Sequence, residues 1–281
     1  MSRNYQTVER RKENISAIEP LISAMRTISL SQWRVALNRQ TALNAYLQEI
    51  SRFNMILSRF IENGYAQFNA DEEILIIPGS NRGLCGNFNK HLLQKAIKEQ
   101  LDTHRYYRVF LAGKQLPAIF NSIKTWNPIV MDFPDMHGIQ NAARLFSLDS
   151  TQSLKNKRIT LLYNAYQGAS HYRTISKQIY PSVPEKRLES TSEVSKVILD
   201  TNPQSLHKKL AQLHFNTQLQ ACLYSSIASE HSKRYALMEN AGQNIDDLVT
   251  ELEILLQDFR KSKITAETQE LAISSGLLAS E

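Results

Sequence analysis

The chain of 281 residues is long enough for one or two domains, and its 42% hydrophobic and 21% charged residues are typical of a globular protein. A formal net charge of +6 is compatible with acidic partners, an anionic membrane surface or nucleic acid. The two cysteines lack metal-ligand spacing, no apolar run is long enough for a membrane span, and the start has no apolar signal core. Together these features predict a reduced, cytosolic protein.

Residues from about 4 to 62 are predicted to form a long helical region with a break near its start. Apolar residues recur at helical spacing, with a change of phase around Ser29: Ile15, Ile18, Ile22, Met25, Trp33, Ala36, Leu43, Leu47, Ile50, Leu57 and Ile61. Because proline is disfavoured inside a helix, Pro20 predicts a kink or break near residues 16–20. Through residue 60 the region carries nine Lys/Arg and four Glu, which indicates a solvated, basic face.

The middle of the chain alternates short apolar runs with helical segments, which predicts a three-layer, Rossmann-like α/β domain. The predicted strands are 73–77, 108–113, 129–131 as an edge strand, 158–163, and 174–180 as a half-exposed strand. The predicted helices are 87–101, 114–122 and 139–146.

A very long C-terminal helix is predicted to begin at Asn202-Pro203, where an N-cap residue precedes a proline in the first turn. A heptad frame over positions 206–259 is mostly apolar, from Leu206, Leu210 and Leu213 to Phe259, with polar interruptions that include Thr217, Gln220, His231 and Arg234. Such a helix would be roughly 110 Å long, more than a chain of this size can cover by itself. We therefore expect the two long helices to pair as an antiparallel coiled coil, with domains at 1–66, 67–202 and 203–281.

A glycine-rich turn follows the first predicted strand, at a place where α/β proteins often bind phosphate. Its glycines, Gly79, Gly83 and Gly86, fit neither the dinucleotide-binding nor the P-loop spacing, and the P-loop lysine is missing. We therefore predict a structural strand-to-helix turn, carried by Gly83, Cys85 and Gly86, in which Cys85 is a small buried residue rather than a reactive thiol.

Catalytic patterns are not evident in the sequence. It shows no paired carboxylates, no Ser-His-Asp set and no metal-ligand cluster, and it lacks the interleaved aromatic and basic residues of common nucleic-acid modules. We expect no catalytic residue, no metal, no cofactor and no nucleic-acid partner.

Three segments, in order, resemble the gamma subunit of F-type ATP synthases. Residues 76–89, IIPGSNRGLCGNFN, are similar to the family's strand and S-D-R-G-L-C-G-x-x-N turn. Ala24-Met25 stands where the family has I-T-x-A-M. Residues 228–238, ASEHSKRYALM, and then 260–265, RKSKIT, with Glu270 are similar to the family's S-E-x-x-A-R-M-x-A-M and R-Q-x-x-I-T-x-E segments.

The resemblance implies a non-catalytic rotor that couples ion flow through a membrane c ring to ATP synthesis or hydrolysis in the beta subunits. Its implied partners are three alpha and three beta subunits, the epsilon subunit and the c ring, at the cytoplasmic face of a bacterial inner membrane. The implied ring contacts are Met25, Arg26, Arg260, Lys261 and Thr265. Asp200 is the implied contact at the foot, with the c ring or epsilon.

The sequence departs from the family pattern at three places. Lys261 replaces the family's glutamine, residues 18–23 replace a lysine-rich segment, and Leu199-Asp200-Thr201 stands where the family has its Y-E-P foot loop. No chloroplast-type cysteine insert is present, so thiol regulation is not expected. The alternatives are a nucleotide-dependent α/β enzyme with helical arms and a coiled-coil tether with a globular head.

Overall fold

The structure is a computed structural model that describes residues 2–57, 60, 70–103, 108–120, 128–134, 136–150, 152–181 and 199–274. Its helices are α1 (Ser2–Ser16), α2 (Glu19–Leu57), α3 (Phe88–Thr103), α4 (Leu116–Phe120), α5 (Ala142–Leu145) and α6 (Pro203–Ser274), with a 3-10 helix at Gly138–Asn141. Its strands are β1 (Glu72–Pro78), β2 (Arg108–Ala112), β3 (Ile129–Met131), β4 (Lys157–Gly168) and β5 (His171–Tyr180). The chain divides into two compact units, Met1–Ile28 with Tyr235–Glu281, and Ser29–Arg234.

The five strands form one mixed sheet in the order β3-β2-β1-β4-β5, in which only β5 is antiparallel to its neighbour. The central strand β1 pairs with β2 and β4, so that Ile76 lies beside Phe110 and Leu161. β3 and β5 lie at the two edges, which confirms the predicted edge strand and explains the partial exposure of β5.

Two apolar cores lie on the two faces of this sheet, because successive side chains of a strand point to opposite faces. Ile74 and Ile76 belong to one core and Leu75 and Ile77 to the other. Helices α3 and α4 cover the second core through Phe88, Leu92, Ala96, Leu116 and Phe120. The first core is covered by α5 and by parts of both long helices, through Ala36, Ala142, Phe215, Leu219, Leu223 and Ile227. The sheet thus has helices on both faces, as the three-layer prediction required.

The N-terminal helical region is broken where Pro20 predicted it. The N–H of Ile18 bonds the Ile15 carbonyl at 3.1 Å, a shortened turn, and α2 restarts at Glu19 with Pro20 in its first turn. Proline fits this position because the backbone N–H that it lacks would have no helical partner in the first turn. Ile18, predicted to lie on the apolar seam, is 49% exposed at this break.

The C-terminal helix begins at Pro203 as predicted, and the Asn202 side chain accepts a hydrogen bond from the Gln204 N–H at 2.9 Å. The heptad frame is wrong at Leu213, which is 37% exposed, whereas Phe215 and Leu219 are fully buried. Here the helix packs on the sheet rather than on a single partner helix, so residues outside the frame are buried. All ten residues from 221 to 230 are buried for the same reason.

The helix predicted over residues 139–146 is divided in the structure. Residues 139–146 form a 3-10 turn followed by one short α-helix rather than a single helix. Ile61 and the predicted boundary between residues 66 and 67 lie outside the described residues. None of the helices in the described ranges has an apolar stretch sufficient to cross a membrane.

Candidate partner-binding residues and the glycine-rich turn

The turn after β1 is held by its own polar side chains. The Asn89 carboxamide accepts from the Ser80 N–H at 3.0 Å and donates to the Ser80 hydroxyl at 2.8 Å, and all of these atoms are buried. The Asn81 side chain donates to the Phe133 carbonyl at 2.8 Å and accepts from the N–H groups of Phe133 and Lys114. These bonds tie the carboxyl ends of neighbouring strands into one rigid loop.

Two of the three glycines of the turn, Gly79 and Gly86, have a structural reason, whereas the predicted need for glycine at Gly83 is not supported. A Cβ at Gly79 would lie 2.3 Å from the Leu116 Cγ, so only glycine lets α4 pack this close to the turn. Gly86 has φ of 62°, which glycine adopts without strain. At Gly83 a Cβ would meet nothing within 4 Å. Among these three positions, a side chain is therefore least tolerated at Gly79. The sequence analysis assigned the structural turn to Gly83, Cys85 and Gly86 and did not include Gly79.

Arg234 of α6 lies against this turn. Its guanidinium donates to the carbonyl oxygens of Arg82 and Gly83, both at 3.2 Å, and forms an ion pair with Glu230 one helical turn earlier. Arg234 is 3% exposed and Glu230 is 8% exposed. Phosphate-binding turns present N–H groups to their ligand, whereas this turn presents carbonyl oxygens to a cation. The geometry therefore disfavours the nucleotide-binding alternative.

Burial dominates the electrostatics of this cluster. It raises the pKa of Glu230, and the neighbouring Arg234 charge opposes that rise. It also lowers the pKa of His231 to about 3, helped by the positive charges of Arg234 and Arg82. His231 stays neutral near pH 7, and its Nδ1 lies 3.3 Å from Arg234 Nη1 as an acceptor.

Cys85 is a buried residue of the turn, as predicted. Its Sγ lies 3.5 Å from the Ser80 hydroxyl, and burial raises the pKa of its thiol above the usual value. A protonated, buried thiol is a poor nucleophile. Its role in this turn is packing.

Two of the residues implied as ring contacts bond across the paired helices. Arg260 donates to the Tyr5 hydroxyl at 2.9 and 3.1 Å and lies 5.8 Å from the centre of the Tyr5 ring. Arg26 forms an ion pair with Glu239 at 3.3 Å. Met25, beside it, is half-buried.

The other implied contacts are exposed and engage their own helix. The Thr265 hydroxyl donates to the Lys261 carbonyl at 2.9 Å, and the Lys261 ammonium lies 4.0 Å from Asp258. Asp200 is exposed just before α6 and belongs to the other compact unit. The structure therefore brings Lys261 and Thr265 together on one exposed surface of α6.

Sequence reasoning missed the residues that pair with these positions. Tyr5 and Glu239 carry no motif, and their partners lie more than 200 residues away in the chain. The Glu230–Arg234 pair did have a signal, since opposite charges four residues apart on a helix are neighbours. The backbone acceptors that Arg234 reaches have no such signal.

A comparison with protein families gives a match to the model described as ATP synthase over residues 4–279. The chain therefore belongs to this family. Among the curated relatives, the ATP synthase gamma chain of Flavobacterium johnsoniae is 26% identical over 285 residues, which cover 95% of this chain and 96% of the relative. The ATP synthase gamma chain of Rickettsia bellii is 23% identical, with 97% and 98% covered. The resemblance seen in the sequence is thus confirmed.

Solved structures from this family share the fold. The rotor chain of the Euglena gracilis mitochondrial ATP synthase aligns with a TM-score of 0.63 at 14% identity, covering 94% of this chain and 100% of that chain. A central stalk and c-ring structure of the Tetrahymena thermophila mitochondrial ATP synthase gives a TM-score of 0.56 at 17% identity, with 79% and 99% covered. Long terminal helices around a mixed sheet are therefore the fold of this family's stalk chains, which confirms the predicted fold class.

Proposed function

We propose that this chain is the gamma subunit of an F-type ATP synthase, the rotor of the central stalk. The observation that carries the proposal is the family match over nearly the whole chain, supported by relatives of the same length named ATP synthase gamma chain. In this role the chain couples ion flow through the c ring to ATP synthesis or hydrolysis in the beta subunits.

The surface of the last turns of α6 indicates that a partner protein covers them. After Leu256 no described residue of this helix is buried, and Ile264, Leu271 and Ile273 are between 62% and 68% exposed. Exposed apolar side chains of this size on one segment are typical of a protein contact. A ring of three alpha and three beta subunits would cover them, with Met25, Arg26, Arg260, Lys261 and Thr265 as its contacts.

The mechanism of coupling follows from symmetry. A pair of helices without threefold symmetry presents a different surface to each of three catalytic sites, so each site has a different conformational equilibrium. Rotation exchanges these surfaces among the sites. The chain itself performs no catalysis in this proposal. That assignment is supported by Arg234, which donates hydrogen bonds to two carbonyl oxygens of the glycine-rich turn.

The remaining partners follow from the same assignment. The sheet-containing unit would form the foot, with Asp200 near the c ring or epsilon, at the cytoplasmic face of a bacterial inner membrane. The predicted domain of residues 67–202 contains the sheet of that foot, and the same compact unit also includes parts of α2 and α6.

Co-purification tests the proposal directly. A tagged chain is expressed at native level in its own cells, and the recovered complex is measured by native mass spectrometry. We expect three alpha and three beta subunits for each tagged chain. Recovery of the tagged chain alone, from a lysate in which alpha and beta subunits are detected, would overturn the assignment.

A further inference from the structure

Among the described residues of the unit formed by Met1–Ile28 and Tyr235–Glu281, three polar pairs join the N-terminal helices to α6. Each has one member on either side: Tyr5 with Arg260 at 2.9 Å, Lys12 with Glu253 at 2.7 Å, and Arg26 with Glu239 at 3.3 Å. From the first pair to the second, one helix advances seven residues while α6 goes back seven. From the second pair to the third, both numbers change by fourteen.

This relation is the register of an antiparallel helix pair whose contacts repeat every heptad. It holds on both sides of the break at residues 17 and 18, so the break does not shift the register. The buried seam of α6 repeats in the same way, at Met238, Ile245 and Leu252. The polar pairs and the apolar seam therefore obey one repeat.

One step of this repeat lacks a complementary pair. Seven residues after Lys12 is Glu19, and seven residues before Glu253 is Asp246. The register therefore places two carboxylates opposite each other. At each of the two neighbouring steps a cation faces a carboxylate instead. Glu19 and Asp246 are both exposed, and among the described residues neither forms an ion pair.

The helix break lies at this same step. Pro20 cannot donate a backbone hydrogen bond, and Ile18 and Leu21 beside it are 49% and 61% exposed, so these two side chains add little packing here even though Ile245 of α6 is buried. Like charges that face each other are destabilising, by amounts similar to those that opposite charges contribute. Three weakening features therefore coincide at one step, between steps that are paired.

We propose that the Glu19–Asp246 step is a joint in the paired helices, at which they separate or bend while the flanking pairs keep the register. The joint depends on the charges of these two residues as well as on the break. This inference does not rest on the proposed rotor function, because it concerns contacts within the chain alone. Its test uses the full chain without partner subunits.

Hydrogen–deuterium exchange of the full chain measures the opening directly. In the Asp246→Lys variant, a lysine faces Glu19 and supplies the missing pair. We expect the amides of a peptide covering residues 13–24 to exchange roughly two- to fivefold more slowly, the range that exposed ion pairs provide. Exchange in strands β1 and β4 should be unchanged, which shows that the variant is folded.

Two further variants separate the pairing from other effects. Asp247→Lys makes the same charge change at the next exposed position, off the repeat, and should leave exchange in residues 13–24 unchanged. The double variant Glu19→Lys with Asp246→Lys restores like charges and should lose the protection. The proposal is overturned if Asp246→Lys has no effect, if Asp247→Lys protects equally, or if the double variant stays protected.

Discussion

At the scale of single residues, the glycine-rich turn makes a steric prediction that the family motif does not. In Gly79→Ala the added methyl group would lie 2.3 Å from Leu116 Cγ, so α4 or the turn must shift. We expect the free energy of unfolding to fall by about 1–3 kcal/mol, the usual cost of overpacking. Urea denaturation measures this change.

The matched control is Gly83→Ala, in which the new methyl group meets nothing within 4 Å and the backbone has no positive φ. The Gly83 carbonyl that accepts from Arg234 is retained. We expect a change of less than about 1 kcal/mol, in either direction. Equal destabilisation by the two variants would mean that α4 does not restrict the turn.

His231 gives a prediction about pH. Its folded pKa of about 3 lies below the usual 6.5, so between these values the unfolded chain binds a proton that the folded chain does not. This histidine therefore costs nothing above pH 6.5 and reduces stability as the pH falls towards 3. We expect His231→Gln to flatten the loss of stability between pH 6.5 and 4, by up to about 1.4 kcal/mol per pH unit.

Denaturation curves at several pH values in this window check the effect, with the exposed His137→Gln as the control. Glu230 acts in the opposite direction, because its pKa is raised in the folded chain. Its contribution to stability is present at low pH and is lost as the pH rises through the folded pKa. An unchanged pH profile in His231→Gln would mean that the imidazole reaches water.

The sequence predicted some of these residues and not others, for physical reasons. Cys85 could be assigned as buried because a small apolar side chain suits a tight turn. The role of Gly79 could not be foreseen, since it depends on Leu116, which lies in a different element. The role of Arg234 depends on two backbone oxygens about 150 residues away, and backbone acceptors leave no trace in sequence.

At the scale of elements, Arg234 ties α6 to the turn after β1. Arg234→Ala removes the bonds to both carbonyls and leaves Glu230 buried without its cation. Breaking a buried pair in this way costs about 3–5 kcal/mol. We expect a loss of that order in urea denaturation, with little change in the control Lys95→Ala, whose half-exposed side chain pairs only within its own helix. Adding Glu230→Gln to Arg234→Ala should recover part of the loss, and no recovery would mean that the carbonyl contacts dominate.

Arg260 provides the test of the proposed ring contact. Arg260→Ala removes the guanidinium from an exposed position, where a charge-assisted hydrogen bond to a partner would stabilise the complex. We expect weaker association with alpha and beta subunits or poorer ATP-driven pumping, with the sheet still folded. Because Arg260 also bonds Tyr5, the control is Tyr5→Phe, which keeps the guanidinium. Equal defects in both variants would assign the effect to the helix pair rather than to the ring.

The heptad pattern predicted α6 well only where its neighbour is another helix. Met238, Ile245 and Leu252 are buried at steps of seven, as in a coiled coil. Between residues 221 and 230 every position is buried, because the sheet and other helices surround this stretch. Periodicity indicates one buried face, so it cannot indicate a helix that is enclosed on all sides.

At the scale of the whole molecule, the fold class could be predicted because two kinds of pattern agreed. Short β-branched runs alternated with helical segments, and two long helical regions flanked them. The sharing of the first core by both long helices was not predicted, since Ala36 was assigned to the coiled-coil seam and Phe215 lies outside the heptad frame. This sharing means that the sheet is stabilised by segments outside the predicted domain of residues 67–202.

The paired-helix unit has far less buried surface. Between residues 4 and 28 no side chain is buried, and no described residue of α6 is buried after Leu256. Since most helical stability comes from burial, the ends of the free chain, roughly residues 1–25 and 255–281, should fray, opening transiently and re-forming in the register of their polar pairs. The segment from about 67 to 200 should persist, because the sheet there has a core on each face.

Limited trypsin digestion followed by mass spectrometry tests this difference. In the free protein we expect the first cuts at residues in or next to the two ends, namely Arg10, Arg11, Lys12, Arg26, Arg260, Lys261 and Lys263. Lys261 and Lys263 should precede Lys12 and Arg26, because they are more exposed and their ion pairs lie within one helix, whereas Lys12 and Arg26 pair across the two helices. Adding alpha and beta subunits should protect all of these sites. If both ends resist cutting in the free protein, the paired helices are stable alone and need no ring to cover them.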